Sequence, residues 1–319
     1  MLNSIKIIKN RSDIGAGTRG SDMGVDAIEI AAINKQNSYF EQFNFVDVVT
    51  ENESIYNKVN NSFAKRIGKV LRQCSRLSNH VEVTLQEKVF PIVLSGDHSS
   101  ALGTISGVKA AYSNKRVGVV WIDAHADIHS PYTSPSGNIH GMPLAAALSE
   151  DNLDFQINDI SRETTELWER MKNIATPGVK VLAEDVVYFG VRDTEEPEEK
   201  QIENLNIKNY SVSEIRYKGL KKCVDEALLK LNNCDVIYIS FDVDSMDCDM
   251  IFYGTGTPVT KGFDQEEVTQ IMNQVIESKK VVCIEFVEIN PLLDFKGNKM
   301  AETAFDILDN ITKTISNSL

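Results

Sequence analysis

Short apolar runs alternate along the chain with stretches in which apolar residues recur every three or four positions. An apolar run bounded by turn residues is typical of a buried strand, and the spacing of three to four is typical of an amphipathic helix. The predicted strands are Ile5–Ile8, Phe45–Val49, Val89–Leu94, Val117–Ile122, Val186–Val191, a short strand near Ile207, Val236–Phe241 and Val281–Phe286.

The predicted helices are Asp26–Asn34, a continuous or interrupted stretch over about 54–87, a helix that begins with Ser99 as its capping residue, Met142–Leu148, Glu163–Ile174, Leu220–Leu231, Asp264–Ser278 and Ala301–Ile315. This alternation predicts an α/β fold with a mainly parallel central sheet and helices on both of its faces. No linker rich in Pro, Gly or Ser divides the chain, so residues 1–319 are predicted to form one domain. A polar, irregular segment at about 149–180 is interpreted as an insertion.

Composition and charge narrow the class of protein. The chain has 319 residues, of which 42% are apolar and 25% are charged, as in globular proteins. The net charge of −13 argues against binding to nucleic acid or to anionic membranes, because both attract basic surfaces. The acidic run from Glu195 to Glu199 is interpreted as a solvated loop or the start of a helix.

The cysteines and the N-terminal residues indicate the cellular compartment in which the protein is expected. The five cysteines are scattered without CxxC spacing, which fits a reduced cytosolic protein better than a disulfide-linked one. The first residues lack the apolar core of a signal peptide, and no apolar run approaches the roughly 18 residues of a membrane span. We therefore expect a cytoplasmic protein.

Four side chains that can bind metal ions follow the predicted strand Val117–Ile122, namely Asp123, His125, Asp127 and His129. Successive side chains of a strand point to opposite faces, so every second residue shares a face. If the strand continued past Ile122, all four side chains would therefore point the same way.

Polar residues also follow three other predicted strands. Asp97 and His98 follow one, Asp242 and Asp244 follow another, and Glu288 follows the last. The carboxyl ends of parallel strands lie along one edge of a sheet, where ligands bind in open α/β folds. We therefore expect these residues to converge with the four described above.

The combined set is rich in carboxylates, contains a few imidazoles and lacks cysteine. Oxygen donors with a few nitrogens favour manganese, iron(II) or cobalt and argue against a structural zinc site of the cysteine type. So many carboxylates need more than one divalent cation to balance their charge. Two metals about 3.5 Å apart hold a hydroxide at neutral pH, which predicts a hydrolytic centre. A single motif of this kind could instead be a helix cap or turn, but their joint occurrence at strand ends argues against that interpretation.

Three of these segments resemble the metal-binding motifs of the ureohydrolases, the binuclear manganese enzymes that include arginase, agmatinase and formiminoglutamase. They are Ser95-Gly96-Asp97-His98-Ser99, Asp123-Ala124-His125-Ala126-Asp127 and Ser240-Phe241-Asp242-Val243-Asp244. The resemblance extends over nearly the whole chain and is greatest to divergent bacterial arginases. It implies an arginase-like three-layer αβα fold and hydrolysis of L-arginine to L-ornithine and urea, with two manganese(II) ions, or cobalt, as cofactors.

The resemblance also implies that six residues are metal ligands. One metal is assigned His98, Asp123, Asp127 and Asp242, and the other is assigned His125, Asp123, Asp242 and Asp244. By the same resemblance Asp123 and Asp242 bridge the metals, a bridging hydroxide attacks the guanidinium carbon, and Asp127 orients that hydroxide.

The Ser-Gly-Asn loop after the second motif resembles the substrate loop of arginases. By this resemblance Ser136 and Asn138 bind the amino-acid carboxylate. His140 transfers protons, for which an imidazole pKa near neutral is suitable. Glu288 corresponds to the glutamate that faces the guanidinium group, and Thr257 corresponds to the threonine of the family's Gly-Thr-Pro segment.

Several positions depart from the family pattern. Ser95 replaces the usual first glycine of its motif. His129 stands where an asparagine of animal arginases contacts the substrate carboxylate, and Glu195 stands where an aspartate usually meets the α-amino group. Both are predicted to be substrate contacts. The family further implies a homo-oligomer, a trimer or a hexamer.

Three alternatives stay open from the sequence. The chain could be another ureohydrolase, an agmatinase or a formiminoglutamase, although agmatine has no carboxylate for the Ser-Gly-Asn loop to bind. It could be a metallophosphoesterase, although the order of the motifs differs. It could also be a catalytically inactive arginase-like binding protein, although all the candidate ligands and His140 are present.

Overall fold

The computed structural model describes residues 2–251 and 253–319. Its centre is a sheet of eight strands in which neighbouring strands run parallel. In chain order the strands are β1 (Ile5–Asn10), β2 (Asn44–Asp47), β3 (Phe90–Ser95), β4 (Val117–Ile122), β5 (Val186–Phe189), β6 (Lys208–Tyr210), β7 (Val236–Asp242) and β8 (Val281–Val287). Within the sheet they lie in the order β2-β1-β3-β8-β7-β4-β5-β6.

The α-helices of the described residues alternate with these strands. They are α1 (Gly24–Asn34), α2 (Tyr39–Gln42), α3 (Ile67–Gln86), α4 (Ser100–Ala111), α5 (Pro143–Leu148), α6 (Arg162–Lys172), α7 (Glu196–Asn204), α8 (Val212–Lys218), α9 (Leu220–Lys230), α10 (Cys248–Ile251), α11 (Gln265–Glu277) and α12 (Lys299–Ser318). The predicted α/β fold is confirmed, and the sheet is parallel throughout. In the described parts of the chain, no helix has the length and apolar character needed to cross a membrane.

Helices cover both faces of the sheet and so form the three predicted layers. Helices α1, α9, α11 and α12 contribute to the core on one face, and α3, α4, α5 and α6 contribute to the core on the other. The residues of β4 alternate between the two cores, with Ile122 in the first and Trp121 in the second. Burial stabilises the fold by roughly 1.5–3 kcal/mol for each large apolar side chain. Strands β3, β4, β5, β7 and β8 are accordingly buried along their whole length, whereas the edge strands β2 and β6 are partly exposed.

The stretch predicted as helical over 54–87 is only partly so. A short 3-10 turn spans Asn52–Tyr56, and α3 begins at Ile67. Arg66, immediately before α3, has a positive φ of 58°. The backbone N–H of Lys65 donates to the carbonyl of Gly137 at 2.7 Å, so a contact between distant parts of the chain replaces a helical hydrogen bond.

The start of α4 and the presence of α8 differ from the sequence-based expectation. Ser99 precedes α4, but its side chain forms no capping hydrogen bond. The Asp97 carboxylate instead accepts hydrogen bonds from the backbone N–H groups of Ser99 at 2.8 Å and Gly15 at 2.9 Å. Helix α8 is absent from the predicted set because only Val212 and Ile215 are buried in it, too few to give a helical pattern.

The strand order brings the predicted polar residues to one place. Strands β3, β8, β7 and β4 are consecutive neighbours in the sheet. Asp97, Glu288, Asp242 and Asp123 lie at or just beyond the carboxyl ends of these strands. The candidate site therefore occupies the edge of the sheet at which ligands bind in open α/β folds.

Helix α4, which starts just after the polar pair at 97–98, packs closely on α3. A Cβ atom on Gly107 of α4 would lie 2.5 Å from the carbonyl oxygen of Ser78. A Cβ atom on Gly68 of α3 would meet nothing nearer than the Leu167 side chain at 3.8 Å. Only the first of these two helical glycines is therefore required by packing.

We expect Gly107→Ala to lower the free energy of unfolding by about 1–3 kcal/mol, because the added methyl group must push α3 and α4 apart. Gly68→Ala is the matched control and should be neutral or stabilising by up to about 1 kcal/mol, since alanine favours a helix over glycine. Denaturant titrations followed by circular dichroism measure both. Equal effects of the two substitutions would contradict this account of the α3–α4 contact.

Candidate metal centre

The segment after β4 forms the centre of the site, but it is not an extension of the strand. Strand β4 ends at Ile122, and Asp127 has a positive φ of 49°. The extended geometry considered from the sequence therefore does not occur. The turn still directs Asp123, His125 and Asp127 into one site, while His129 contacts a different group of residues.

The first group of candidate ligands surrounds the Nδ1 atom of His98. This nitrogen lies 3.0 Å from Asp123 Oδ2, 2.9 Å from Asp127 Oδ2 and 3.1 Å from Asp242 Oδ2. All four residues are buried. One ring nitrogen carries at most one proton and cannot donate to three carboxylates, and Nδ1 has no hydrogen-bond partner of proper geometry. A shared cation would satisfy the nitrogen and the carboxylates together.

Neighbouring side chains fix the ring of His98. Its Nε2 atom lies 2.7 Å from the hydroxyl of Ser240. Its ring stacks on Trp121, with centroids 4.2 Å apart and planes within 9°. The indole N–H of Trp121 in turn donates to Asp123 Oδ2 at 2.9 Å. A buried residue of the core therefore orients both a histidine and a carboxylate of the site.

The second group of candidate ligands surrounds His125. Its Nδ1 atom lies 3.0 Å from Asp244 Oδ2 and 3.5 Å from Asp123 Oδ1. Asp123 thus presents Oδ2 to His98 and Oδ1 to His125, as a bridging ligand would. Asp242 presents Oδ2 to His98, and its Oδ1 accepts a hydrogen bond from the backbone N–H of Asp244 at 2.9 Å.

Burial and mutual repulsion make this cluster unfavourable without added positive charge. Burial, together with the charges of Asp244 and Asp123, raises the pKa of Asp242 well above its usual value. Burial alone would lower the pKa of His98, but the charge of Asp127 and the carboxylate contacts raise it well above the usual value. The oxygen and imidazole donors suit divalent metals. These residues therefore fit a pair of divalent cations.

A cavity of about 250 Å³ opens over the metal-ligand candidates. Its wall includes the predicted substrate and catalytic residues His129, Ser136, His140, Glu195, Thr257 and Glu288, and also Asp193, Thr194 and Glu198. Among the described residues, Asn138 is not part of this wall. Its Oδ1 atom accepts a hydrogen bond from Lys65 at 3.2 Å.

His140 and Glu288 form a hydrogen-bonded pair, with His140 Nδ1 3.0 Å from Glu288 Oε1. The same oxygen accepts a hydrogen bond from the backbone N–H of His98 at 2.9 Å. Burial opposes the charge on His140, but Glu288 raises its pKa to about 9, above the near-neutral value expected from the sequence. The Thr257 hydroxyl donates to Asp244 Oδ2 at 2.9 Å and so supports a candidate ligand.

His129 forms a third group with two glutamates of the cavity wall. Its Nε2 atom forms an ion pair with Glu195 and lies 3.5 Å from Glu198 Oε2, while Nδ1 lies 3.1 Å from the hydroxyl of Thr133. The contact between His129 and Glu195, two predicted substrate residues, was not expected.

Glu198 was not identified as a site residue from the sequence. The acidic run is indeed a helix start, because Glu195 and Glu198 form the capping box of α7. Glu198 is nevertheless buried rather than solvated, and burial raises its pKa to about 7. The spacing of three residues between the two glutamates was the signal that could have placed Glu198 beside Glu195.

Known proteins resemble this chain over nearly its whole length. The family model described as "Arginase family" matches residues 3–313. The arginase of Bacillus subtilis (strain 168) is 34% identical over 313 residues, which is 98% of each chain. The structure of the arginase from Bacillus caldovelox covers 97% of both chains at 32% identity, with a TM-score of 0.82. That of Entamoeba histolytica arginase in complex with L-ornithine covers 98% of both at 27% identity, with a TM-score of 0.78.

Removing divalent cations should destabilise the protein, because the buried carboxylates then repel one another. We expect Mn²⁺ added to chelator-treated protein to raise the unfolding temperature, since a metal at 100 times its dissociation constant contributes about 2.7 kcal/mol. Asp123→Asn should abolish this response, and substitution of the exposed Asp225 by Asn should leave it unchanged. Calorimetry with elemental analysis measures both. A wild-type response in the Asp123→Asn variant would refute this assignment of Asp123.

Proposed function

The chain belongs to the arginase family, and from this membership we propose that it is an arginase, a metal-dependent amidinohydrolase that converts L-arginine and water to L-ornithine and urea. One observation carries the proposal: the wall of a single cavity contains four of the six metal-ligand candidates together with the predicted substrate and catalytic residues Ser136, His140 and Glu288. A guanidinium group and an amino-acid head group would therefore both find complementary partners there.

We propose that two manganese(II) ions bind at the site. The assignment of His98, Asp123, Asp127 and Asp242 to one ion, and of His125, Asp123, Asp242 and Asp244 to the other, is supported by the short distances around the two histidines. When bound, such a pair of ions supplies a hydroxide nucleophile at neutral pH. Asp127 directs Oδ2 toward His98, which leaves Oδ1 to orient that nucleophile.

The guanidinium group is proposed to face Glu288. Planar guanidinium groups pair well with carboxylates because their N–H groups match the carboxylate oxygens. Oε1 of Glu288 already accepts hydrogen bonds from His140 and from the backbone of His98. Its second oxygen, Oε2, is therefore the one that would bind the substrate.

The head group of the substrate is proposed to lie between two sets of polar groups. Ser136 would donate a hydrogen bond to the carboxylate. Asn138 was predicted to do the same, but it lies outside the cavity wall with its Oδ1 bonded to Lys65, so this role is not proposed for it. Glu195 and the buried Glu198 would bind the α-ammonium group. His129 holds Glu195 through their ion pair, so it would act on the substrate through its neighbour.

His140 is proposed to protonate the leaving amine. Despite burial, the hydrogen bond and the charge of Glu288 raise the pKa of His140 and so favour its protonated imidazole. Since Nδ1 is paired with Glu288, the proton on Nε2 is the one available for transfer. The cytoplasmic location and the homo-oligomeric state expected from the family stay predictions.

We expect the protein with bound Mn²⁺ to release urea from L-arginine, and Asp127→Asn to lower kcat at least 100-fold while the chain stays folded, because both a candidate ligand and the orienting oxygen are impaired. Substitution of the exposed Asp225 by Asn is the control. A colorimetric urea assay and circular dichroism measure activity and folding. Release of urea from agmatine but not arginine would identify an agmatinase instead, and absence of turnover with arginine, agmatine and formiminoglutamate would refute the enzyme proposal.

Ser136→Ala should weaken competitive inhibition by L-ornithine about 10- to 150-fold, because a hydrogen bond to a charged group contributes about 1.5–3 kcal/mol. Inhibition by 1,4-diaminobutane, which lacks the carboxylate, should change by less than about twofold. Comparison of the two inhibition constants separates a contact to the carboxylate from a general change in the cavity. Equal weakening of both inhibitors would place Ser136 outside the carboxylate site.

A further inference from the structure

We propose that Glu285 is a positioning residue for the first metal site, and that it acts on His98 through the hydroxyl groups of Tyr238 and Ser240. The proposal rests on the two-metal centre of the proposed function. It adds a buried carboxylate that lies outside the ligand set and outside the cavity wall. Glu285 would hold the ring of His98 in place and make the Nδ1 atom of that histidine a stronger metal ligand.

The four side chains form a continuous buried chain. Glu285 on β8 pairs in register with Ser240 on β7. Glu285 Oε2 accepts a hydrogen bond from the hydroxyl of Tyr238 at 2.7 Å. Tyr238 and Ser240 are two residues apart on the same face of β7, so their hydroxyl groups are neighbours. The Ser240 hydroxyl lies 2.7 Å from His98 Nε2. Glu285, Tyr238 and Ser240 have no exposed surface, and His98 is 1% exposed, so water does not compete for these contacts.

Every hydrogen bond in this series can be donated in the direction of Glu285. His98 Nδ1 faces the carboxylates of the site, so a metal bound there would leave the ring proton on Nε2, which then donates a hydrogen bond to Ser240. The Ser240 hydroxyl can then donate to Tyr238, and Tyr238 donates to Glu285. Both oxygens of Glu285 accept hydrogen bonds, Oε2 from Tyr238 and Oε1 from Ser95, so the series ends there. Burial and the charge of Glu285 hold the pKa of Tyr238 well above its usual value, which keeps its proton in place.

The other oxygen of Glu285 is fixed from the neighbouring strand. Glu285 Oε1 accepts a hydrogen bond from the hydroxyl of Ser95 on β3 at 2.6 Å. Asn10 on β1 donates to the same hydroxyl at 3.3 Å, and Gln73 donates to Asn10 at 2.6 Å. Ser95 is the residue that departs from the usual first glycine of its motif. That departure supplies the hydroxyl group that holds the carboxylate.

The consequence for metal binding follows from the direction of these hydrogen bonds. A metal-binding histidine usually donates its second N–H to a carboxylate or carbonyl group, which fixes the ring and raises the basicity of the ligand atom. Here two hydroxyl groups connect the ring to the carboxylate. Loss of such a partner typically weakens metal binding by about 10- to 100-fold.

The test is the affinity of each metal site in Tyr238→Phe, which removes one hydroxyl group and keeps the ring. Isothermal titration of chelator-treated full-length protein with Mn²⁺, with bound metal measured by atomic emission, gives both constants. We expect one site to weaken about 10- to 100-fold, while the other changes by less than about threefold. Glu285→Gln should have the same selective effect and serves as a second variant if the first does not fold.

Tyr39→Phe is the matched control. Tyr39 is also buried, and its hydroxyl bonds Thr312 at 2.8 Å, but it packs in the other layer against Phe305. This substitution should leave both metal affinities unchanged. Unaltered affinities in Tyr238→Phe and Glu285→Gln, or equal weakening of both sites, would overturn the proposal. Binding of fewer than two ions by the wild type would instead refute the two-metal centre itself.

Discussion

Buried negative charge around two histidine rings is the constraint on which the structure depends. A carboxylate removed from water is strongly unfavourable unless it is paired or bonded. Asp123 and Asp242 each receive a backbone N–H group, from His125 and Asp244 respectively. These contacts reduce the cost but do not neutralise the charge. The residues of the site therefore fit cations, and the surrounding core must hold these carboxylates close to one another.

The fold supplies that rigidity through the order of its strands. Because β3, β8, β7 and β4 are neighbours, residues that are far apart in the sequence meet without long connecting loops. Trp121 links the core directly to the site by stacking on one candidate ligand, His98, and by donating a hydrogen bond to another, Asp123. The series of polar contacts from His98 through the hydroxyl groups of Ser240 and Tyr238 to Glu285 also connects the site with buried residues of the sheet.

The sequence predicts this architecture well where the signal is local. Apolar runs identify the strands, and the polar residues that follow them identify the edge of the sheet that carries the site. Features that depend on contacts between distant segments were not predictable in the same way. The helix break before Ile67 depends on the carbonyl of Gly137, and the pairing of His129 with Glu195 depends on how the loops after β4 and β5 meet. The raised pKa of His140 likewise depends on Glu288, 148 residues away.

The start of α7 connects helix formation with the chemistry of the cavity. In the capping box, the side chain of each glutamate accepts a hydrogen bond from the backbone N–H of the other. The same two side chains also contact His129. A substitution at either glutamate would change the helix and the cavity wall at once. Replacement of Glu195 by a residue without a side-chain oxygen would therefore remove the cap of α7 together with the partner of His129.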